Sequence, residues 1–198
     1  MASPEVPAES SSDSGSDPAR DRSVSLGLGH VGQTLRVVSP QQFITELRAR
    51  FEPLPLPDRQ RALALYARRQ SPVGYKALCR ALDKGDLDDR MLGLFFARAR
   101  HDLPAVEKAI ADPQLRHTAL AAAIRLPVAD EVLVAALHDA PRAHREDVYG
   151  VLRRSRRRAL ADRLLPEIFD RHGSADALRL LSACSAAVAE EWLPRLGV

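Results

Sequence analysis

A chain of 198 residues with 45% hydrophobic and 28% charged side chains is long enough to bury roughly 70% of its unfolded surface without disulfide or metal staples. No apolar run approaches the length of a membrane span, and the acidic start lacks the basic head and apolar centre of a secretion signal, so a transmembrane protein is excluded and the cytoplasm is the expected compartment. The two cysteines, Cys79 and Cys184, have no second Cys or His at ligand spacing, which argues against a disulfide framework and a thiolate zinc site; both read as small buried apolar residues.

Residues 1–22 hold five acids (Glu5, Glu9, Asp13, Asp17, Asp21) against Arg20 and Arg22, with Ser10, Ser11, Ser12, Ser14 and Ser16 among them. Such a segment buries too little to fold and is expected to be a disordered acidic tail. The formal charge of +3 therefore understates how basic the rest of the chain is. Residues 23–38 read as a linker. Within it, Gly27-Leu28-Gly29-His30-Val31-Gly32 matches the glycine pattern of a dinucleotide-binding turn. It has no room for the strand before it or the long helix after it, and it reads as a glycine-rich join.

From Ser39 onward the punctuation is helical. Ser39-Pro40 with Gln42 forms a capping box, and Val38 and Phe43 are placed as its hydrophobic staple. Ser71-Pro72, Leu103-Pro104 and Asp112-Pro113 repeat the signature, each followed by apolar residues three and four apart. Asp83-Lys84-Gly85 and His172-Gly173-Ser174 are stops short enough to join antiparallel neighbours. About nine helices are expected over residues 39–198.

An internal repeat is the strongest signal, clearest over residues 103–198. Asp130, Glu131, Leu133, Val134 and Leu137 align with Asp162, Leu164, Leu165 and Ile168 at an offset of 31, and these with Glu190, Trp192, Leu193 and Leu196 at an offset of 28. Between them lie Leu115-Arg116 with Ala119 and Leu120, His144-Arg145 with Val148 and Tyr149, and Leu178-Arg179 with Ser182 and Ala183. Two helix types alternating with a period near thirty residues predict an α-solenoid, in which each helix pair covers the apolar face of the next.

The segment Asp112-Pro113-Gln114-Leu115-Arg116-His117-Thr118-Ala119-Leu120 resembles the second helix of a HEAT-type repeat. The resemblance implies an all-α fold, a right-handed solenoid of helical hairpins. It also implies scaffold roles for Asp112, which would cap its helix, and Arg116, which would tie adjacent repeats together.

Two constellations carry possible chemistry. Leu137-His138-Asp139, with His117 upstream and Asp162, Asp170 or Asp176 downstream, resembles the metal ligands of HD-type phosphohydrolases. The polar residues that close and flank a repeat helix account for it as well, and no metal or cofactor is expected. The second is the run Arg153, Arg154, Arg156, Arg157 and Arg158, in a chain where arginines outnumber lysines 26 to 3. Guanidinium groups grip phosphates bidentately, so this turn is a candidate polyanion or partner site, although no aromatic residue interleaves with it.

These features lead to a noncatalytic helical-repeat scaffold for protein–protein interaction. Nucleic-acid binding through the arginine turn is the alternative, and a metal-dependent phosphohydrolase a further one. The last helix has no following partner, so its stripe of Val188, Trp192 and Leu196 is expected to be bare and to drive self-association.

Overall fold

Side-chain caps from Ser71, Asp86 and Asp102 start three of the described helices. The computed structural model describes residues 39–198, of which Pro40–Val198 form one unit. The tail, the linker with its glycine pattern, and Val38 of the staple lie outside the described residues. The helices are α1 (Pro40–Phe51), α2 (Leu56–Arg69), α3 (Pro72–Asp83), α4 (Leu87–Arg100), α5 (Leu103–Ala111), α6 (Arg116–Ala123), α7 (Asp130–Asp139), α8 (Arg142–Arg154), α9 (Arg158–His172), α10 (Ser174–Leu181) and α11 (Ala186–Trp192). A 3-10 turn over Pro194–Leu196 follows. The described residues are thus all-helical, and no helix among them is long and apolar enough to cross a membrane.

Ser71 caps α3 by accepting from the Gly74 amide, and Asp86 caps α4 by accepting from that of Asp89. Two expected starts shift. α5 is capped by Asp102 rather than by Leu103, and Asp112 closes a turn, accepting from the Gln114 amide, before α6 begins at Arg116. The stop at Gly173 holds: its φ of 83° suits glycine, and it joins α9 to α10 without an intervening loop.

The principal packing joins each helix to the next or to the next but one. Odd-numbered helices meet odd-numbered ones (α1 with α3, α5 with α7), and even-numbered meet even-numbered (α2 with α4, α6 with α8, α8 with α10). One continuous apolar core runs from Leu94 in α4 to Trp192 in α11. At the other end an aromatic chain, Phe51–Tyr66–Phe96–Phe95, links α1, α2 and α4 through ring pairs each 6.2 Å apart.

Side-chain rungs repeat along the odd set, each binding the start of the following odd helix. Tyr75 of α3 donates its hydroxyl to Asp102, the cap of α5, at 2.8 Å. Glu107 of α5 accepts from the amide of Ala129, at the cap of α7. Asp130 of α7 pairs with Arg157, at the cap of α9, and Asp162 of α9 accepts from the amide of Ser185, at the cap of α11.

The caps at Ala129, Arg157 and Ser185 fall 28 residues apart, which departs from the sequence alignment between α7 and α9. α7 and α9 correspond three residues earlier than aligned above, so that Leu133, Ala136 and Leu137 take the places of Ala161, Leu164 and Leu165, all of them buried. A three-residue slip keeps an apolar stripe on one helix face, which is why the pattern alone did not resolve it. Leu178-Arg179, aligned with Leu115-Arg116, differs too: Leu178 and Arg179 are exposed, whereas Leu115 and Arg116 are buried.

Arg116 does not tie neighbouring pairs. It is 4% exposed and donates from Nε to the Ile110 carbonyl and from Nη2 to that of Ala111, closing the C-terminus of α5 within its own pair. The tie to the preceding pair is made instead by Asp112, which bonds Arg90 of α4.

A candidate basic groove on the even-numbered helices

The C-terminal ends of α2, α4, α6 and α8 lie around one concave space of about 690 Å³. Each supplies an arginine: Arg68 and Arg98 from the last turns of α2 and α4, Arg125 just past α6, and Arg154 as the final residue of α8. Basic residues suit these positions because the helix C-terminus carries partial negative charge. That accounts for one arginine at a time. It does not account for four helices delivering theirs to one place, at steps of 30, 27 and 29 residues.

The electrostatics are one-sided: no Asp or Glu lines the groove. Arg68 is partly engaged, donating from Nε to the Ala99 carbonyl at 3.0 Å. The neighbouring Arg100 is fully engaged: it bonds the carbonyls of Ala67, Arg68 and Gln70 and lies over the Tyr75 ring, so it clamps α4 to the end of α2. The side chains of Arg98, Arg125 and Arg154 are exposed and have neither a hydrogen-bond nor an ion-pair partner among the described residues. The lining also holds apolar side chains, Phe95 and Ile124 half-buried and Leu126 buried.

Two backbone positions on these helix ends add to the pattern. His101, which lines the groove, and Arg156 are the only described non-glycine residues with left-handed backbone, at φ 57° and 58°. Each sits just beyond the C-terminus of an even-numbered helix, where glycine is the usual choice. A side chain held there costs about 1–2 kcal/mol. His101→Gly is therefore expected to stabilise the protein by about 1 kcal/mol, raising Tm by about 2–4 °C in a thermal melt followed by circular dichroism.

The arginine run singled out in the sequence is divided by the fold. Arg153 points to α10, with Nη1 3.5 Å from Ser182 Oγ. Arg154 enters the groove, and Arg156 and Arg158 are exposed. Arg157 is taken up inside the structure: its side chain is 17% exposed and paired with Asp130 as one of the odd rungs. The five residues therefore do not form a single patch.

The expected apolar stripe at the C-terminal end is not bare. Trp192 is buried, its ring meets Phe169 edge-on at 5.5 Å, and Arg195 covers it with its guanidinium at 5.2 Å. Val188 and Leu196 are half-buried against the core, and the turn over Pro194–Leu196 packs on α10. The chain folds back on its own last helix, which removes the basis for self-association through that face.

The HD-like residues are apart. His117 of α6 pairs with Asp147 of α8 at 2.9 Å, while His138 of α7 lies between Glu167 and Arg171 of α9. Asp162 holds the cap of α11, and Asp176 is buried against Arg145. No group of three His, Cys, Asp or Glu side chains that could hold a metal occurs among the described residues. Both cysteines are free and half-buried rather than buried. Burial pushes both thiols up, that of Cys184 to about 12, so neither is a ready thiolate near neutral pH.

Sequence reasoning missed the groove because it weighed arginines by their closeness along the chain. The available signal was periodic: Arg68, Arg98, Arg125 and Arg154 recur at the spacing of the helix pairs. Comparison with protein families, with curated proteins and with solved structures finds no match.

Proposed function

We propose that this chain is a noncatalytic helical-repeat module, a right-handed solenoid of HEAT-like hairpins, that binds nucleic acid along the groove on its even-numbered helices. The packing of each helix with its second neighbour and the recurring rungs at helix caps support the repeat architecture. One observation carries the ligand class: four successive even-numbered helices each bring an arginine to one groove lined by no carboxylate. Guanidinium groups are the side chains best matched to phosphate oxygens, and a row of them suits a ligand carrying phosphates at intervals. A protein scaffold, the reading that a helical repeat suggests by itself, is the weaker one, because the groove's lining carries the charge of a phosphate site.

The test is fluorescence anisotropy of a labelled oligonucleotide of about 20 nucleotides, titrated with protein at several salt concentrations. Three unpartnered guanidinium groups on a single strand predict a slope of log K against log salt of about −2. No binding at low salt, or an affinity that does not change with salt, would remove the proposal.

A further inference from the structure

We infer that the nucleic acid in the groove is single-stranded, its unpaired bases resting on the apolar side chains that share the lining with the arginines; this deepens the reading of the groove as a phosphate-binding site and rests on it. A site that reads phosphates alone needs only cations. This one holds the half-buried apolar side chains of Phe95 and Ile124 in the same lining as Arg98, Arg125 and Arg154. A duplex keeps its base faces stacked inside and offers such side chains nothing to cover them, whereas a single strand turns its bases outward onto aromatic and guanidinium surfaces.

Phe95 is the aromatic platform. It is half-buried at the groove and set at 63° against Phe96, which is fully buried and in turn meets Tyr66. The ring is therefore held by a packed aromatic chain running back to α1, and little freedom is lost when a base stacks on it. Base stacking tolerates any base, so binding that depends on Phe95 is expected to show little sequence preference.

The experiment compares labelled oligothymidylate, oligouridylate and a DNA duplex, each of about 20 units, in the same anisotropy assay at one salt concentration. Single strands are expected to bind at least about tenfold more tightly than the duplex. The better of the two single strands then identifies DNA or RNA as the source. Phe95→Leu keeps the apolar volume and removes the aromatic face, so single-strand affinity should fall about fivefold or more while the salt slope stays unchanged. Phe95→Ala should fall further, and thermal melts of both variants check that the fold is intact. The inference is overturned if the duplex binds as tightly as the single strands, or if a folded Phe95→Leu variant binds like the parent. Absence of binding to all three ligands would instead overturn the nucleic-acid reading itself.

Discussion

Changing Arg98, Arg125 and Arg154 together to glutamine is expected to weaken nucleic-acid binding about 100-fold at 0.1 M salt. Each phosphate contact to a single strand shifts log K by about 0.7 per tenfold change in salt, so one contact is worth about fivefold under those conditions and three multiply. The fold should survive the exchange, since all three side chains are exposed and unpartnered among the described residues. Exposed substitutions of this kind usually move stability by less than about 0.5 kcal/mol, with a further small loss for each helix C-terminus that gives up its cation. Glutamine is preferable to glutamate, which would set a carboxylate against those same helix ends. The control is Arg153 and Arg158 changed together, both exposed but outside the groove lining. If that pair costs as much affinity as the groove triple, the site is the linear arginine run and not the groove.

The largest stability effect is expected at the junction of α8, α9 and α10. Asp176 is 2% exposed, with Arg145 Nε 3.1 Å from its Oδ2 as a charge contact without hydrogen-bond alignment. Arg142 and Arg179 lie at 3.8 and 3.9 Å and are far more exposed, so they compensate little. Arg145 also donates from Nη1 to Nδ1 of His172 at 2.5 Å. That bond requires an unprotonated Nδ1; burial first, and Arg145 second, hold the His172 pKa below its ordinary value. Arg145→Ala leaves a buried carboxylate without its nearest cation and should cost about 3–5 kcal/mol, a fall in Tm on the order of 10 °C. Adding Asp176→Asn should recover much of that loss, because the stranded charge goes with it. A double mutant no more stable than Arg145→Ala would show that the arginine acts by packing its stem.

Local chemistry was legible in the sequence where it is written in adjacent residues. Ser71-Pro72 and His172-Gly173-Ser174 mark a helix start and a helix join because capping and left-handed backbone are decided within a few residues. The all-helical class was legible because apolar residues recur three and four apart behind cap-and-proline signals. The correspondence between α7 and α9 was not: an apolar stripe reads almost the same after a three-residue slip, and the spacing shows only in the caps at Ala129, Arg157 and Ser185. The candidate site was read at the wrong scale. Arg153 to Arg158 are close along the chain and the fold sends them to different places, while Arg68, Arg98, Arg125 and Arg154 are far apart along it and meet in one groove. Phe95, two helix pairs away in sequence from the arginine run, supplies the aromatic surface that the run itself lacks. Trp192 was misread because the three residues of the last turn were not counted as a cover for it.

The odd rungs carry a consequence for how the molecule comes apart. Each one, from Tyr75–Asp102 to Asp162–Ser185, joins only consecutive odd helices, so losing one leaves the others intact. Structures linked this way open in segments, with the cost of each opening set by its own neighbours. The C-terminal segment hangs from the last rung at one side and from the Asp176 cluster at the other. Amide protons there are expected to exchange with solvent sooner than those of the central helices in a native-state hydrogen-exchange experiment, the mark of a protein that frays from its end inward rather than melting as a single block.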